Sequence, residues 1–269
     1  MTRPDYLEVR GLTVTFDGFR AVDAVDLTVF QSDLRFLIGP NGAGKTTIID
    51  ALTGLVPATG TARYGAIQLL GRKAHQISRL GVGRTFQTAS VFPELTVLQN
   101  LDIAAGARRP VAALLGVRRG IPPEVASALD TVGLSAELHR PAGFLSHGQK
   151  QWLEIGMLLV QDARVLLLDE PVAGMSADER DETGALLRRI GAQRTVVVVE
   201  HDMDFMRRYA DSVTVLHAGR VLSEGSVAAV QADPHVQEVY LGRAQTSEAD
   251  LVAETTLAPR PAEPVDSRS

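Results

Sequence analysis

Residues Leu34–Thr46, with the sequence LRFLIGPNGAGKT, join an apolar stretch to a glycine-rich turn that ends in Lys-Thr. The stretch Leu34–Ile38 is typical of a short buried strand, and Lys45–Thr53, closed by Gly54, is typical of a helix. The turn between them matches the pattern GxxxxGK[ST] in the strand, turn, helix context that this pattern requires. The sequence therefore predicts a loop that binds phosphate.

The chemistry of this loop follows from its backbone. Glycines allow successive N–H groups to point at phosphate oxygens, and the helix N-terminus adds the positive end of its dipole. We expect Lys45 to reach the β- and γ-phosphates and Thr46 to ligate Mg²⁺. An ordinary glycine-rich turn is the alternative, but it has no reason to carry Lys-Thr directly after its last glycine. The predicted nucleotide-binding residues of the loop are Gly39, Pro40, Asn41, Gly42, Ala43, Gly44, Lys45, Thr46 and Thr47.

Two further apolar strands end in polar residues. Val165–Leu168 runs into Asp169 and Glu170, and Thr195–Val199 is followed closely by His201. Ligands of open parallel sheets bind at the C-terminal ends of strands. We therefore expect Asp169 to hold Mg²⁺ and Glu170 to act as the general base that polarises an attacking water, which makes the protein a hydrolase. A lone histidine is more often structural than catalytic, but the position of His201 favours a role in the site.

The remaining pattern predicts an α/β protein built on a mostly parallel sheet. An antiparallel N-terminal sheet is predicted from Leu7–Phe16 and Ala24–Phe30, which flank a turn at Asp17-Gly18. Residues 91–160 show helical periodicity punctuated by prolines, and we interpret them as a helical subdomain inserted into the core. Residues 1–242 then form the ATP-binding domain, and residues 243–269, which are rich in Pro and acidic residues, are predicted to be a disordered tail.

Composition excludes several classes of function. The chain has 269 residues, 27 basic and 32 acidic side chains, a net charge of −5 and no cysteine. We therefore expect no nucleic-acid partner, because no long basic stripe is present, and no thiol chemistry. The longest apolar runs are far shorter than the roughly 20 residues of a membrane-spanning helix, and the N-terminus has no pattern of a secretory signal.

An additional motif distinguishes the chain from other phosphate-loop proteins. Leu145-Ser146-His147-Gly148-Gln149 precedes the Asp169 strand and resembles the LSGGQ signature of the ATP-binding subunits of ABC transporters. The resemblance covers Leu7–Gly242. One departure is His147, which stands where the family usually has the first of two glycines, so that backbone freedom is reduced there, while Ser146 and Gly148 can still present donors to a γ-phosphate.

This resemblance implies roles for several residues. Phe16 would stack on adenine, with Phe19 as the competing candidate, and Gln87 would sense Mg²⁺ and water. His201 would contact the γ-phosphate, and Ala173–Asp178 would link the two nucleotide sites of a dimer. The signature residues would complete the site of a second subunit, and they are Ser146, Gly148 and Gln149.

The resemblance also implies cofactors and partners. ATP and Mg²⁺ would bind between two ATP-binding subunits, in a homodimer or a heterodimer. Because the chain lacks membrane spans, it would dock on separate transmembrane permease subunits through a groove formed by Gln87 and Thr88–Leu101. A solute-binding protein would be an indirect partner, and the chain would lie peripherally at the cytoplasmic face of the cell membrane.

The transported solute is predicted from resemblance alone. Gly81–Gln87, Val91–Val97 and Val239–Gly242 resemble branched-chain amino acid importers, whereas Leu145–Met157 and Asp169–Met175 look more like the urea and short-chain amide branch. We expect urea or short-chain amide import, with branched-chain amino acid import as the alternative. A soluble ABC-type ATPase, such as an iron–sulfur assembly factor, is the alternative from another class.

Overall fold

The structure is a computed structural model that describes residues 6–86, 90–106 and 120–239. Its strands in these residues are β1 (Leu7–Phe16), β2 (Phe19–Val29), β3 (Leu34–Ile38), β4 (Thr59–Tyr64), β5 (Ile67–Gln68), β6 (Val82–Arg84), β7 (Val165–Asp169), β8 (Thr195–Glu200), β9 (Ser212–His217) and β10 (Arg220–Gly225). Its helices are α1 (Lys45–Leu52), α2 (Ala74–Arg79), α3 (Val97–Gly106), α4 (Pro123–Val132), α5 (His147–Val160), α6 (Ala177–Gly191), α7 (Met203–Tyr209) and α8 (Val227–Ala232).

Two sheets organise the chain. A six-stranded sheet has the order β10-β9-β3-β8-β7-β6, and a four-stranded sheet has the order β2-β1-β4-β5. Strands β6, β7, β8, β3 and β9 pair in parallel, whereas β10 pairs with β9 in the antiparallel sense. The four-stranded sheet is antiparallel throughout. The predicted fold class, an α/β protein with an antiparallel N-terminal sheet, is confirmed.

The central strands are mostly apolar because both of their faces are buried. In β3, Phe36 packs into a core cluster shared with the helices, and Leu37 packs into a second cluster shared with the antiparallel sheet and α1. Alternate residues of β7 and β8 divide between the same two clusters. The parallel sheet is therefore covered on both sides, and its strand ends are the edge left open to a ligand.

The region predicted to be helical contains α3, α4 and α5, which pack on one another beside the sheet. Residues 87–89 and 107–119 lie outside the described residues, as does the predicted tail at 243–269. In the described part of the chain, no helix is long and apolar enough to cross a bilayer.

Three strands were not predicted from the sequence: β4, β6 and β10. Strand β4 is mostly exposed, β10 is a partly exposed edge strand, and β6 has three residues. The mostly apolar stretch Ile67–Leu70 predicts a further strand. In the structure only Ile67–Gln68 forms a strand, β5, and it pairs with β4 in the antiparallel sheet.

Candidate functional site

The phosphate-type loop lies between β3 and α1, as the sequence predicts. Two of its glycines are required by close backbone approach: a Cβ at Gly39 would lie 2.3 Å from the carbonyl oxygen of Leu216, and one at Gly44 would lie 2.5 Å from that of Ala21. Gly44 is the N-cap of α1 in a left-handed conformation with φ of 98°. Because this residue offers no side chain, no side-chain oxygen caps the first turn of the helix, and its N–H groups remain available to an anion.

Lys45 folds back over its own loop. Its Nζ atom donates to the carbonyl oxygens of Gly39 at 2.8 Å and Pro40 at 3.1 Å, and the residue is 7% exposed. A small pocket of about 220 Å³ is lined by residues 41–47 together with Glu170. The predicted loop residues Asn41, Gly42, Ala43, Thr46 and Thr47 therefore share one cavity with Glu170.

Asp169 ends β7 directly beside this loop. Its Oδ1 atom accepts a hydrogen bond of 3.4 Å from the hydroxyl of Thr46, and its Oδ2 atom is buried and accepts no hydrogen bond from the residues that the structure describes. Burial raises the pKa of the Asp169 carboxyl, and the Thr46 hydrogen bond and the charge of Arg84 oppose that rise. An unpartnered carboxylate oxygen next to a hydroxyl is a donor set that suits Mg²⁺.

This donor set is small. Among the described residues, no group of three or more His, Cys, Asp or Glu side chains could hold a metal ion. Mg²⁺ characteristically binds through one or two carboxylates plus substrate phosphates and water, so the pair Thr46 and Asp169 fits an ion that arrives with a nucleotide.

Glu170 and His201 leave neighbouring parallel strands at the same edge of the sheet. The Oε1 atom of Glu170 lies 3.5 Å from Nδ1 of His201, and the two side chains are 26% and 60% exposed. Glu170 has a φ of 49°, in the left-handed region that a non-glycine residue rarely adopts. Such strain persists where the surrounding structure fixes it, often at functional sites, and here it coincides with the turn that brings Glu170 to the loop pocket.

A second glutamate, Glu200, forms hydrogen bonds with the backbone next to this site. Glu200 is 1% exposed and accepts the backbone N–H groups of His201 at 3.1 Å and Val172 at 3.4 Å. Burial raises the pKa of Glu200, and these backbone hydrogen bonds oppose the rise. Glu200 thereby fixes the backbone at the exits of both β7 and β8.

The two aromatic candidates for stacking lie at the β1–β2 turn. Phe16 and Phe19 are paired in the ladder and are 44% and 69% exposed. The same hairpin reaches the loop through Ala21, whose carbonyl oxygen lies against both Gly44 and Gly219. Both rings therefore remain candidates for a stacking role.

The signature residues form the N-terminus of α5. Ser146 is its N-cap and accepts from the backbone N–H of Gln149, while the Gln149 side chain accepts from the backbone N–H of Ser146. The Ser146 hydroxyl also donates to Glu179 Oε1 at 2.8 Å. This hydrogen bond is the main cause of a lowered Glu179 pKa, and the backbone N–H groups of Ser176 and Gly148 also lower it.

The two central positions of the signature, His147 and Gly148, differ in whether they require glycine. His147 is the first residue of α5 with ordinary helical backbone, so this position does not require the freedom of glycine. Its ring faces Gly174, in the segment after β7. A Cβ atom at Gly174 would lie about 4 Å from the imidazole ring of His147. At Gly148, by contrast, a Cβ would lie 2.9 Å from Oε1 of Glu179. The departure at His147 is therefore compatible with the backbone of the motif.

The structure brings together the phosphate-type loop, Asp169, Glu170 and His201. The signature residues are bonded to Glu179 of α6, and Gln87 lies outside the described residues.

Sequence reasoning missed two charged groups beside the site. Arg84 forms an ion pair with Asp50 of α1, and its guanidinium lies over the ring of Phe86 at 4.5 Å. Glu154 of α5 accepts from the backbone N–H groups of Phe86 and Ser90. The signal that could have identified Glu154 is a charged residue in a helix whose buried positions are mostly apolar.

Comparison with known proteins is consistent with this arrangement. The family model for ABC transporters matches residues 22–173, and the model for the branched-chain amino acid ATP-binding cassette transporter matches residues 220–245.

Individual relatives match over nearly the whole chain. The high-affinity branched-chain amino acid transport ATP-binding protein BraF of Pseudomonas aeruginosa is 36% identical over 91% of this chain and 100% of its own length. The protein LivG of Escherichia coli, described in the same words, is 34% identical over the same shares. A crystal structure of an ATP-binding cassette of an ABC transporter in its ADP conformation aligns with a TM-score of 0.77 and 29% identity, covering 89% of this chain and 100% of that one.

Proposed function

The chain belongs to the ABC transporter family, and on that premise we propose that it powers the import of branched-chain amino acids through separate membrane permease subunits. It is an ATP-binding subunit with the ATPase fold of that family and uses ATP with Mg²⁺. The observation that carries the proposal is the similarity to BraF, 36% identity over 91% of the chain and the whole of that relative.

The proposed solute differs from urea, which the motifs around Ser146 and Asp169 favour, and is the branched-chain amino acid alternative. The relatives described above are named for branched-chain amino acids, as is the family model that matches residues 220–245, and these matches support the amino acid branch. Urea import has no support among them.

We propose the following roles in ATP hydrolysis. The loop N–H groups and Lys45 bind the β- and γ-phosphates, which requires the Lys45 ammonium to exchange its present carbonyl partners for phosphate oxygens. Thr46 and Asp169 hold Mg²⁺, with Gln87 as a further contact. When bound, the ion offsets negative charge that develops on the transferred phosphoryl group.

Glu170 orients and deprotonates the attacking water, and His201 contacts the γ-phosphate. The distance of 3.5 Å between their side chains supports a shared function at one reacting centre. Phe16 stacks on adenine, with Phe19 as the competitor.

The proposal includes a dimer. Ser146, Gly148 and Gln149 lie at the N-terminus of α5, whereas the loop pocket of the same chain is lined by residues 41–47 and Glu170, and this separation supports their acting on the nucleotide of a second ATP-binding subunit. The chain is proposed to lie at the cytoplasmic face of the membrane, where permease subunits receive it and a solute-binding protein delivers the amino acid.

Solute uptake by cells that lack this protein tests the proposal. Labelled leucine and labelled urea are compared in the deletion strain, with complementation by the wild type and by Lys45→Ala. We expect leucine uptake to be lost and to be restored only by the wild type. Loss of urea uptake alone would assign the protein to the urea branch, and unchanged uptake of both would contradict a role in importing either solute.

A further inference from the structure

A carboxylate of the same chain already engages the signature donors at the N-terminus of α5. Glu179, in the first turn of α6, accepts the Ser146 hydroxyl at 2.8 Å through its Oε1 atom. The backbone N–H of Gly148 also helps to lower the pKa of this carboxyl. A Cβ at Gly148 would lie 2.9 Å from the same oxygen, so the lack of a side chain there lets the carboxylate reach the motif. The positive end of the α5 dipole favours an anion at this point.

These donors are the ones that we propose for the γ-phosphate of a second subunit. A serine hydroxyl has a single proton to donate, and that of Ser146 is committed to Glu179. A phosphate oxygen can therefore accept from Ser146 only when Glu179 gives up this bond. Both groups are anions, and they would repel each other at hydrogen-bonding distance from one hydroxyl. The carboxylate and the γ-phosphate thus compete for the same place.

The carboxylate has a second set of partners within its own helix. Its Oε2 atom accepts the backbone N–H and the hydroxyl of Ser176, each at 3.1 Å. Ser176 is the N-cap of α6 and forms a capping box with Glu179. Loss of the Ser146 contact therefore leaves Glu179 with local partners, and water can hydrate the freed oxygen because the residue is only partly buried.

We propose that Glu179 restrains the ATP-driven association of two copies of this chain, because its carboxylate holds the signature donors until the γ-phosphate bound to the other copy displaces it. The inference rests on the proposed function, which includes the dimer. The exchange occurs at each of the two nucleotide sites, so Glu179 lowers the affinity of the dimer without contacting either phosphate loop. A residue that only held Ser146 in place would strengthen the dimer, so the two roles predict opposite effects when the carboxylate is removed.

The stability of the ATP-bound dimer tests the direction of this effect. All proteins carry Glu170→Gln, which we expect to slow hydrolysis, and sedimentation velocity measures the dimer dissociation constant of the full chain with saturating ATP and Mg²⁺. Glu179→Gln keeps the size of the side chain and removes its charge. We expect the dissociation constant to fall by about tenfold, because a charge-assisted hydrogen bond becomes a weaker neutral one at both sites. An unchanged or higher dissociation constant would overturn the inference.

Glu182→Gln is the matched control for the charge of α6. Glu182 is exposed three residues further along the helix, and its substitution removes the same charge away from the signature. We expect the dissociation constant of this variant to equal that of the Glu170→Gln protein. A fall as large as that of Glu179→Gln would attribute the effect to the net charge of the helix and contradict the proposed competition.

Glu179→Ala provides a second variant, in which no side-chain acceptor remains. It also removes the capping box with Ser176, so we expect its melting temperature to fall while its dimer becomes tighter. A purely structural role would lower both the melting temperature and the affinity of the dimer. A weaker dimer in this variant would therefore also refute the inference.

Failure of the inference is distinguishable from failure of the proposed function. If the Glu170→Gln protein forms no ATP-dependent dimer, the dimer of the proposed function fails, and the role of Glu179 fails with it. If that protein dimerises and removal of the Glu179 charge does not tighten the dimer, only the role of Glu179 fails.

Discussion

The guanidinium of Arg84 lies 3.9 Å from Oδ2 of Asp169, the carboxylate oxygen that accepts no hydrogen bond from the described residues. The same guanidinium pairs with Asp50 of α1 and covers Phe86, at the wall of the pocket between α2, β6 and α5. One largely buried cation thus links the proposed Mg²⁺ ligand, the helix that follows the phosphate loop and this pocket.

Replacing Arg84 should destabilise the protein strongly. Arg84→Met leaves the buried Asp169 and the partly buried Asp50 without their cation, and we expect the free energy of unfolding to fall by about 2–4 kcal/mol. Urea denaturation measures the change. In the double variant with Asp50→Asn the losses should be less than additive, because one of the two stranded charges is gone.

Arg10→Met is the matched control for this prediction. Arg10 pairs with Glu8 at 3.2 Å, but its side chain is 54% exposed, and we expect a loss below about 1 kcal/mol. Equal losses for the two variants would mean that the buried network around Arg84 contributes nothing specific.

Glu170→Gln should separate ATP binding from hydrolysis. The variant keeps the size of the side chain and its place in the loop pocket but cannot accept a proton from water. We expect turnover to fall by about 10²-fold or more, while ATP affinity stays within a few-fold of the wild type. Steady-state phosphate release and equilibrium nucleotide binding measure the two quantities.

Glu182→Gln controls for the loss of a carboxylate, since Glu182 is exposed on α6. Its turnover should equal that of the wild type. Unimpaired hydrolysis by Glu170→Gln would remove Glu170 from the role of general base.

Much of the fold could be predicted because a strand that is buried on both faces has a recognisable apolar run in its sequence. Strands β3, β7 and β8 are buried along their whole length, and β7 and β8 each contain an uninterrupted run of four apolar residues. Strand β4 has no such apolar run, because most of its residues are exposed. Gly60, within this strand, packs against the backbone of Gly11. Pairing between distant segments, and not local pattern, stabilises that strand.

The residues of the site also fall into two groups, those that local motifs predict and those that they do not. Lys45, Asp169 and Glu170 sit in local motifs at strand ends and were predictable. The contacts of Arg84 and Glu154 join residues 34 and 68 positions apart, respectively. Local spacing carries no information on such pairs, so only the folded chain reveals that Arg84 and Glu154 line one pocket.

Gly148→Ala should destabilise the protein, although replacing glycine by alanine normally stabilises a helix. In a helix, alanine is favoured over glycine by about 0.5–1 kcal/mol. Here the new Cβ would lie 2.9 Å from Oε1 of Glu179 and would displace it from the Ser146 hydroxyl. We expect a net loss of about 1 kcal/mol, because the hydrogen bond to a charged group is broken.

The test is a double-mutant cycle followed by urea denaturation. In a Glu179→Ala background the carboxylate that the new Cβ would contact is absent, and Gly148→Ala should then stabilise the helix. If Gly148→Ala has the same effect in both backgrounds, Glu179 does not explain the need for glycine at this position.

Glu154 should make stability depend on pH. Burial raises its pKa from 4.5 to about 7, although the hydrogen bonds from Phe86 and Ser90 and the charge of Arg84 lower it. Between pH 4.5 and 7 the folded chain therefore binds more protons than the unfolded chain, and the free energy of unfolding falls as pH rises. Glu154→Gln cannot lose a proton, so its stability relative to the wild type should increase by about 2–3 kcal/mol from pH 5 to pH 8.

Denaturation of both proteins across this pH range isolates the effect, because groups that titrate identically in the two proteins cancel in the difference. His75 lines the same pocket as Glu154, and a parallel series in a His75→Gln background removes any contribution of that side chain. A difference between wild type and Glu154→Gln that stays constant from pH 5 to pH 8 would show that the Glu154 carboxyl titrates alike in the folded and unfolded chains. The Oε2 atom of Glu154 would then be as well hydrated in the folded chain as it is in the unfolded chain.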